Sequence, residues 1–201
     1  FAGKYLTSAV LVYRLTHEES LKKVIQDFVA QLVSVQAKDG YLGPFPKDSR
    51  LTGYAPNAGE KGGGTWDAWG HYHAMLGLLL WHEETGDKKA FNCVKKIADL
   101  FCQKFLEDDK RLVDTGSTEM NLAPIHSLCL LYEKTGTQKY LDLAKKIADE
   151  FAAQGENGPL AGDYIRTALE GKEFFQTPRP RWESLHPIMG IAELYYITGD
   201  E

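Results

Sequence analysis

Two stretches set the architecture: "ETGDKKAFNCVKKIAD", residues 84–99, and "KTGTQKYLDLAKKIAD", residues 134–149. Both end in KKIAD, which begins at Lys95 and at Lys145, and both carry a Thr-Gly turn ten residues ahead of it, at Thr85 and Thr135. The offset is 145 − 95 = 50 for the pentapeptide and 135 − 85 = 50 for the turn. Self-similarity of this period marks stacked helical hairpins. A further Thr-Gly-Asp stands at Thr198, and "LTHEESL" is a weaker copy at Thr16.

The flanks of each turn differ. After it come amphipathic stretches such as "AFNCVKKIADLFCQKF" and "YLDLAKKIADEFAAQ", apolar on one face. In "SLKKVIQDFVAQLVSVQ" Leu21, Val24, Ile25, Phe28, Leu32 and Val35 fall at the same steps of three and four. Before each turn the chain is apolar nearly all round, as in "HAMLGLLLW", "PIHSLCLLY" and "PIMGIAELYY". Helices of that kind are enclosed on every side. Each unit therefore reads as a buried inner helix, a turn, and an amphipathic outer helix. Gly86, Gly136 and Gly199 suit left-handed helix ends. The expected helices number seven, at about 1–15, 18–37, 67–85, 88–107, 119–135, 137–154 and 182–198. "DGYLGPFP" and "RLVDTG" are the only candidates for short extended pieces, and no sheet core is expected. The fold class is all-α, helical hairpins of an (α/α)6 toroid, with a closed small bundle as the alternative. A ring of six hairpins needs about twelve helices. Residues 1–201 are thus expected to be a single, partial domain, the N-terminal portion, with apolar inner surface exposed at its open ends.

Composition removes several function classes. Hydrophobic residues at 43% and charged residues at 25% are ordinary for a globular chain. A net charge of −5 leaves no basic surplus to displace counterions, so no nucleic-acid partner is expected. No apolar run reaches the ~18 residues of a membrane span, and no membrane partner is expected. Cys93, Cys102 and Cys129 have neither disulfide nor zinc spacing, lie among apolar residues and read as buried thiols. No signal peptide is visible, and Phe1 falls inside a helical pattern, as in a piece of something longer, so the compartment stays open between cytoplasmic and secreted.

The chemistry gathers at the starts of the inner helices. Fourteen residues before each turn threonine stand His71, Asn121 and Ser184; twelve before stand His73, His186 and, in the weak copy, Lys4. Asp67, Glu119 and Glu183 lie beside them. Parallel repeated helices would bring these first turns to one mouth, as in sites between helices of a bundle. A sugar suits such a density of polar groups, because each hydroxyl donates and accepts. Trp66, Trp69 and Trp182 offer flat apolar faces, and helix-start N–H groups add donors. Ordinary structural roles compete: Asp67, Ser117 or Thr118 as caps, the tryptophans as packing, and His126, in mid-run, as a satisfied core histidine. His17 and His82 lie at turns and carry no functional weight.

Other motifs fall away. "EKGGGTW" lacks the Lys-Ser/Thr of a phosphate loop and reads as a flexible connection. "HYH" spaces its histidines by two, which on a helix sends them to different faces, so no metal site is assigned. No GxSxG, CxxC or HExxH is present.

"AGKYLTSAVLVYRLT" followed by "LVSVQAKDGYLGPFP" resembles the opening of the glycoside hydrolase family 127 domain, the group containing β-L-arabinofuranosidases. Gln36, Asp39, Gly40, Tyr41 and Leu42 stand in the family's order. "WDAWGHYHAMLGLLLWHEETGD", "LAPIHSLCLLYEKTGTQKYLDLA" and "IMGIAELYYITGDE" are similar to the pieces that follow, so the match covers most of the chain. The resemblance implies a toroid acting on glycosides and identifies His71 with the family's sugar-contacting histidine. It also implies that the nucleophilic Cys, the Glu acid/base and the Cys and Glu ligands of zinc lie beyond Glu201. None of the three cysteines here sits in a matching motif. The catalytic residues are thus unassigned, no cofactor is expected in this chain, and zinc would belong to the full-length enzyme.

The leading expectation is the N-terminal half of a glycoside hydrolase acting on plant or glycan saccharides, L-arabinofuranosides among them. This half would contribute His71, His73, His186, Asn121, Glu119, Glu183, Asp67 and Trp69 to the sugar. Its partners would be the carbohydrate and the C-terminal remainder of the same domain. Two rivals stand beside it. One is an α/α-toroid sugar epimerase, in which two histidines exchange a proton beside a carbonyl; the other is a noncatalytic helical-repeat scaffold.

Overall fold

The computed structural model describes residues 2–56, 63–116, 118–155, 158–159, 164–177 and 182–200. The start of the glycine-rich connection, residues 60–62, and the candidate cap Ser117 lie outside these. Nine α-helices appear among the described residues: α1 (Ala2–Thr16), α2 (Glu19–Ser34), α3 (Asp67–Thr85), α4 (Lys88–Cys102), α5 (Thr118–Asn121), α6 (Pro124–Thr135), α7 (Gln138–Glu150), α8 (Tyr164–Leu169) and α9 (Leu185–Thr198). The described strands are two-residue pairs, Tyr54–Ala55 with Gly63–Gly64 and Gln154–Gly155 with Gly158–Pro159. The fold is all-α, built from helical hairpins. No described helix is long and apolar enough to cross a membrane.

The repeated turns have a common chemistry. Thr85, Thr135, Thr198 and Thr16 each donate Oγ1–H to the carbonyl four residues back, at 2.7 to 3.0 Å. Each Oγ1 also accepts the N–H two residues on. Gly86, Gly136 and Gly199 follow at φ +72°, +63° and +70°, left-handed helix ends that a side chain would strain. In the first copy His17 takes this place at φ +52°. The fourfold repeat of these bonds is what makes the hairpin period visible in the sequence.

Some boundaries differ from the expected ones. The helix expected over 119–135 is two, α5 and α6, because Pro124 has no N–H to continue the first and suits the opening turn of the second. The α4 helix passes at Gln103–Glu107 into a wider π turn, and α9 is entered through a 3-10 turn at Trp182–Ser184. The segment 111–116 is not extended but holds a 3-10 turn, Leu112–Thr115.

The chain resolves into two compact units: residues 1–44 with 70–101, and residues 45–69 with 102–201. In the first, α1 and α3 lie close enough that a Cβ on Gly3 would fall 2.6 Å from the carbonyl oxygen of His73, and one on Gly77 2.9 Å from Leu6 Cγ. These contacts advance together along both helices, so the two inner helices are parallel. Arg14 bonds to Glu83 and Glu84 at their far ends. In the second unit α6 and α9 meet at Gly190, where a Cβ would lie 2.7 Å from the backbone nitrogen of His126. The α7 helix covers them with Tyr140, Leu143, Ala144 and Ile147, all buried. Their counterparts fifty residues earlier on α4 are Ala90, Cys93, Val94 and Ile97, buried likewise.

Candidate functional site

In the first unit His71 and His73 lie on α3, both buried. His71 Nε2 accepts the Leu42 N–H at 3.0 Å, and its ring rests against Tyr41 and Phe101, with centroids 4.8 and 5.7 Å away. The segment that Leu42 ends is held at each of its sequence landmarks. Gln36 Nε2 donates to the carbonyls of Gly40 and Cys93 at 3.0 and 2.9 Å, and Asp39 Oδ1 accepts the Tyr41 N–H at 3.1 Å. Gly40, at φ +94°, lies so close to α4 that a Cβ would be 2.7 Å from the Lys96 carbonyl carbon. His73 is stacked obliquely on Tyr72, 4.8 Å between centroids.

In the second unit the irregular segments are fastened by side chains. Asp67 Oδ2 accepts the N–H of Leu51 at 2.9 Å, fixing a residue held at φ +52°. Asn121, 0% exposed, uses both ends of its amide on backbone. Its Nδ2 donates to Thr115 O at 2.9 Å and Gly116 O at 2.6 Å, with Thr115 Oγ1 at 3.2 Å and Thr65 O at 3.5 Å. Its Oδ1 accepts the Trp69 N–H at 3.1 Å. That N–H is in the first turn of α3, where no intrahelical partner exists, so Asn121 caps α3 from another helix.

Trp69 held in this way forms one side of an aromatic cluster. Its ring meets His186 edge-on at 5.0 Å and Trp182 at 6.0 Å, and Trp182 meets His186 at 5.8 Å. Trp69 is buried, His186 half-buried and Trp182 54% exposed. Glu183 is half-buried between them in sequence, and Glu119 on α5 is buried. His126 lies deeper, with its pKa lowered to about 4, first by burial and then by the like charge of His186. The arrangement is a graded one, an open indole edge leading inward to imidazole. It presents an aromatic C–H-stacking surface suited to a ligand of mixed polarity.

Cys93 and Cys129 hold their protons at neutral pH. Burial pushes Cys93 up to about 11 and Cys129 up to about 12. Cys102 and Cys129 spend their S–H groups on the carbonyls of Lys139 and Gly190. A thiol so raised neither attacks nor binds metal readily. Among the described residues no three His, Cys, Asp or Glu side chains are grouped to hold a metal ion.

One group escapes sequence reasoning. Glu150, at the end of α7, is 5% exposed and accepts the Val113 N–H on Oε2 at 2.8 Å. Burial lifts its pKa to about 7, against smaller lowering effects from that bond and from Lys146. The signal was a carboxylate on the buried stripe after Leu143 and Ile147.

A family profile described as "Beta-L-arabinofuranosidase, GH127 catalytic domain" matches residues 1–201. The chain belongs to this family. Solved structures of similar fold include a glycoside hydrolase at 19% identity and TM-score 0.66, covering 98% of this chain and 29% of that one. A GH127 β-arabinofuranosidase gives 18%, 0.65, 99% and 31%. A GH127 β-L-arabinofuranosidase from Geobacillus stearothermophilus T6 gives 17%, 0.64, 98% and 32%. The chain thus spans roughly a third of the length of these structures, and at such identities the likeness is one of fold. Curated proteins searched by sequence contain no match. Of the eight residues expected at a sugar, the second unit brings Trp69 and His186 into ring contact and Asn121 onto Trp69. Asp67 accepts from Leu51, and within the first unit His71 accepts from Leu42.

Proposed function

We propose that the whole protein hydrolyses a glycosidic bond and that this chain supplies part of the surface that holds the sugar. The observation that carries the reading is the Trp69–His186–Trp182 cluster, stepped from 5% to 54% exposure, in a chain of this family. Trp182 gives a ring face to the sugar's C–H surface, His186 and Glu183 bond its hydroxyls, and Asn121 holds Trp69 in place. Glu119 is buried on α5. Asp67 and His71 each act within their own unit, holding the segments around Leu51 and Leu42. The family's name makes a β-L-arabinofuranoside the first substrate to try. The nucleophile, the acid/base carboxylate and any zinc lie outside this chain in this reading, and the rest of the domain covers the apolar face of α9.

The test is ligand-induced stabilisation. A β-L-arabinofuranoside raises the melting temperature of the chain, and Trp182→Ala and His186→Ala each abolish that rise without lowering the melting temperature of the free protein. A scaffold for proteins shows no saccharide response in any variant. For the parent protein, incubation with reducing monosaccharide in D2O separates hydrolysis from epimerisation: deuterium entering C2 without bond cleavage defeats the hydrolase reading.

A further inference from the structure

The carbohydrate reading leaves the Glu150 carboxyl unused. Its Oε2 accepts from Val113, and among the described residues Oε1 meets no hydrogen-bond partner. Val113 belongs to the Leu112–Thr115 turn, which Thr115 closes by donating Oγ1–H to the Leu112 carbonyl at 2.7 Å. The same turn presents the Thr115 carbonyl to Asn121 at 2.9 Å, and Asn121 holds the Trp69 N–H at 3.1 Å. Gly53 packs so tightly on Thr115 that a Cβ there would lie 2.6 Å from its Cα, so a shift of the turn has little room to dissipate. A continuous run of bonds therefore leads, within one unit, from a buried carboxyl to the tryptophan that faces His186.

The charges around Glu150 are engaged elsewhere. Lys146, on the same helix, donates Nζ to the Phe105 carbonyl and to Asp109, each at 2.7 Å. Arg111, in the segment that packs on Glu150, forks onto Asp114 at 2.9 and 2.8 Å. Both reach Glu150 only through their field. With its pKa raised to about 7 by burial, the carboxyl exchanges its proton near neutrality. Ionised, it is a strong acceptor for Val113; protonated, it is a weaker acceptor and gains a donor that meets no acceptor among the described residues.

We propose that Glu150 is a positioning residue for the Trp69–Trp182–His186 cluster, its proton setting the Leu112–Thr115 turn and, through Asn121, the way Trp69 is held. The effect on saccharide affinity rests on the carbohydrate reading above; the coupling to Trp69 does not.

His186 touches both Trp69 and Trp182, so the fluorescence measurement uses a His186→Gln background to keep its imidazole out of the signal. There, tryptophan emission of the full chain is expected to change in one step centred near pH 7. The step disappears on adding Glu150→Gln, which fixes the neutral form, and also on adding Trp69→Phe. No step, or a step that survives Glu150→Gln, overturns the proposal. If Glu150→Gln does not fold, hydrogen exchange of the Trp69 amide in the His186→Gln chain decides. Protection that varies with pH as Val113 protection does supports the coupling, and protection that does not overturns it. With methyl β-L-arabinofuranoside as ligand, the ratio of Kd at pH 8 to Kd at pH 6 should differ ~5-fold between wild type and Glu150→Gln; an identical ratio overturns the proposal. Absence of saccharide binding at every pH defeats the carbohydrate reading and leaves the coupling to the fluorescence result.

Discussion

A carboxyl on the buried face of a helix must either find partners or keep its proton. Glu150 does some of each: one oxygen holds Val113 and the pKa stands at about 7 in place of 4.5. Between those two values the folded chain retains a proton that the unfolded chain has released. Stability therefore falls as pH rises from 4.5 to about 7 and then levels off. The full difference is bounded at ~3 kcal/mol. Glu150→Gln, which cannot ionise, is expected to be more stable than wild type by ~1–3 kcal/mol at pH 8 and to match it near pH 4.5. Urea unfolding at both pH values reads this directly. An equal gap at the two would mean that ionisation of Glu150 has no part in it.

At the scale of elements, the turn is the repeating device, and its first copy has a flaw. Gly86, Gly136 and Gly199 accept left-handed φ freely, whereas His17 holds φ +52° with a Cβ in the way. His17→Gly is expected to stabilise the chain by ~0.5–1 kcal/mol, less whatever its ring contact with Tyr13 contributes. A urea midpoint that rises at unchanged slope is the expected result, and a fall would mean that the ring contact outweighs the strain. Because every turn repeats the same Thr bonds and three of the four follow them with Gly, the hairpins could be read from sequence. The interruption at Pro124 could have been, since proline opens helices more readily than it continues them. The candidate site was half legible. Its polar residues stand out at the helix starts, but their partners are backbone groups of irregular segments, such as Leu51 N–H and Thr115 O, whose positions no periodicity encodes. Asn121 therefore looks from sequence like a ligand for a sugar hydroxyl, while in the fold its amide is spent on carbonyls and on Trp69. Glu150 escaped for a related reason: its meaning depends on burial, which the stripe of Leu143 and Ile147 only implies.

For the whole molecule the telling surface is on α9. Leu185, Met189 and Tyr196 recur at steps of four and seven on one face, exposed by 48%, 47% and 76%, while Pro187 is buried and Gly190 packs on α6. Exposed large apolar residues on one helix face, broken here only by the half-buried Glu193, mark a contact surface rather than a finished exterior. The chain spans 29–32% of its structural neighbours, and the proposed occupant is the remainder of the same domain. The double substitution Met189→Lys with Tyr196→Lys separates a contact surface from an ordinary solvent face. In the chain alone it touches no packed core, so stability should stay within ~0.5 kcal/mol of wild type while self-association and binding of a hydrophobic dye fall. In the parent protein the same two charges would be buried without partners, and stability should drop by several kcal/mol, on the order of 3 or more. If the substitutions are equally silent in both contexts, the stripe faces solvent in the assembled domain and the remainder of the chain packs elsewhere.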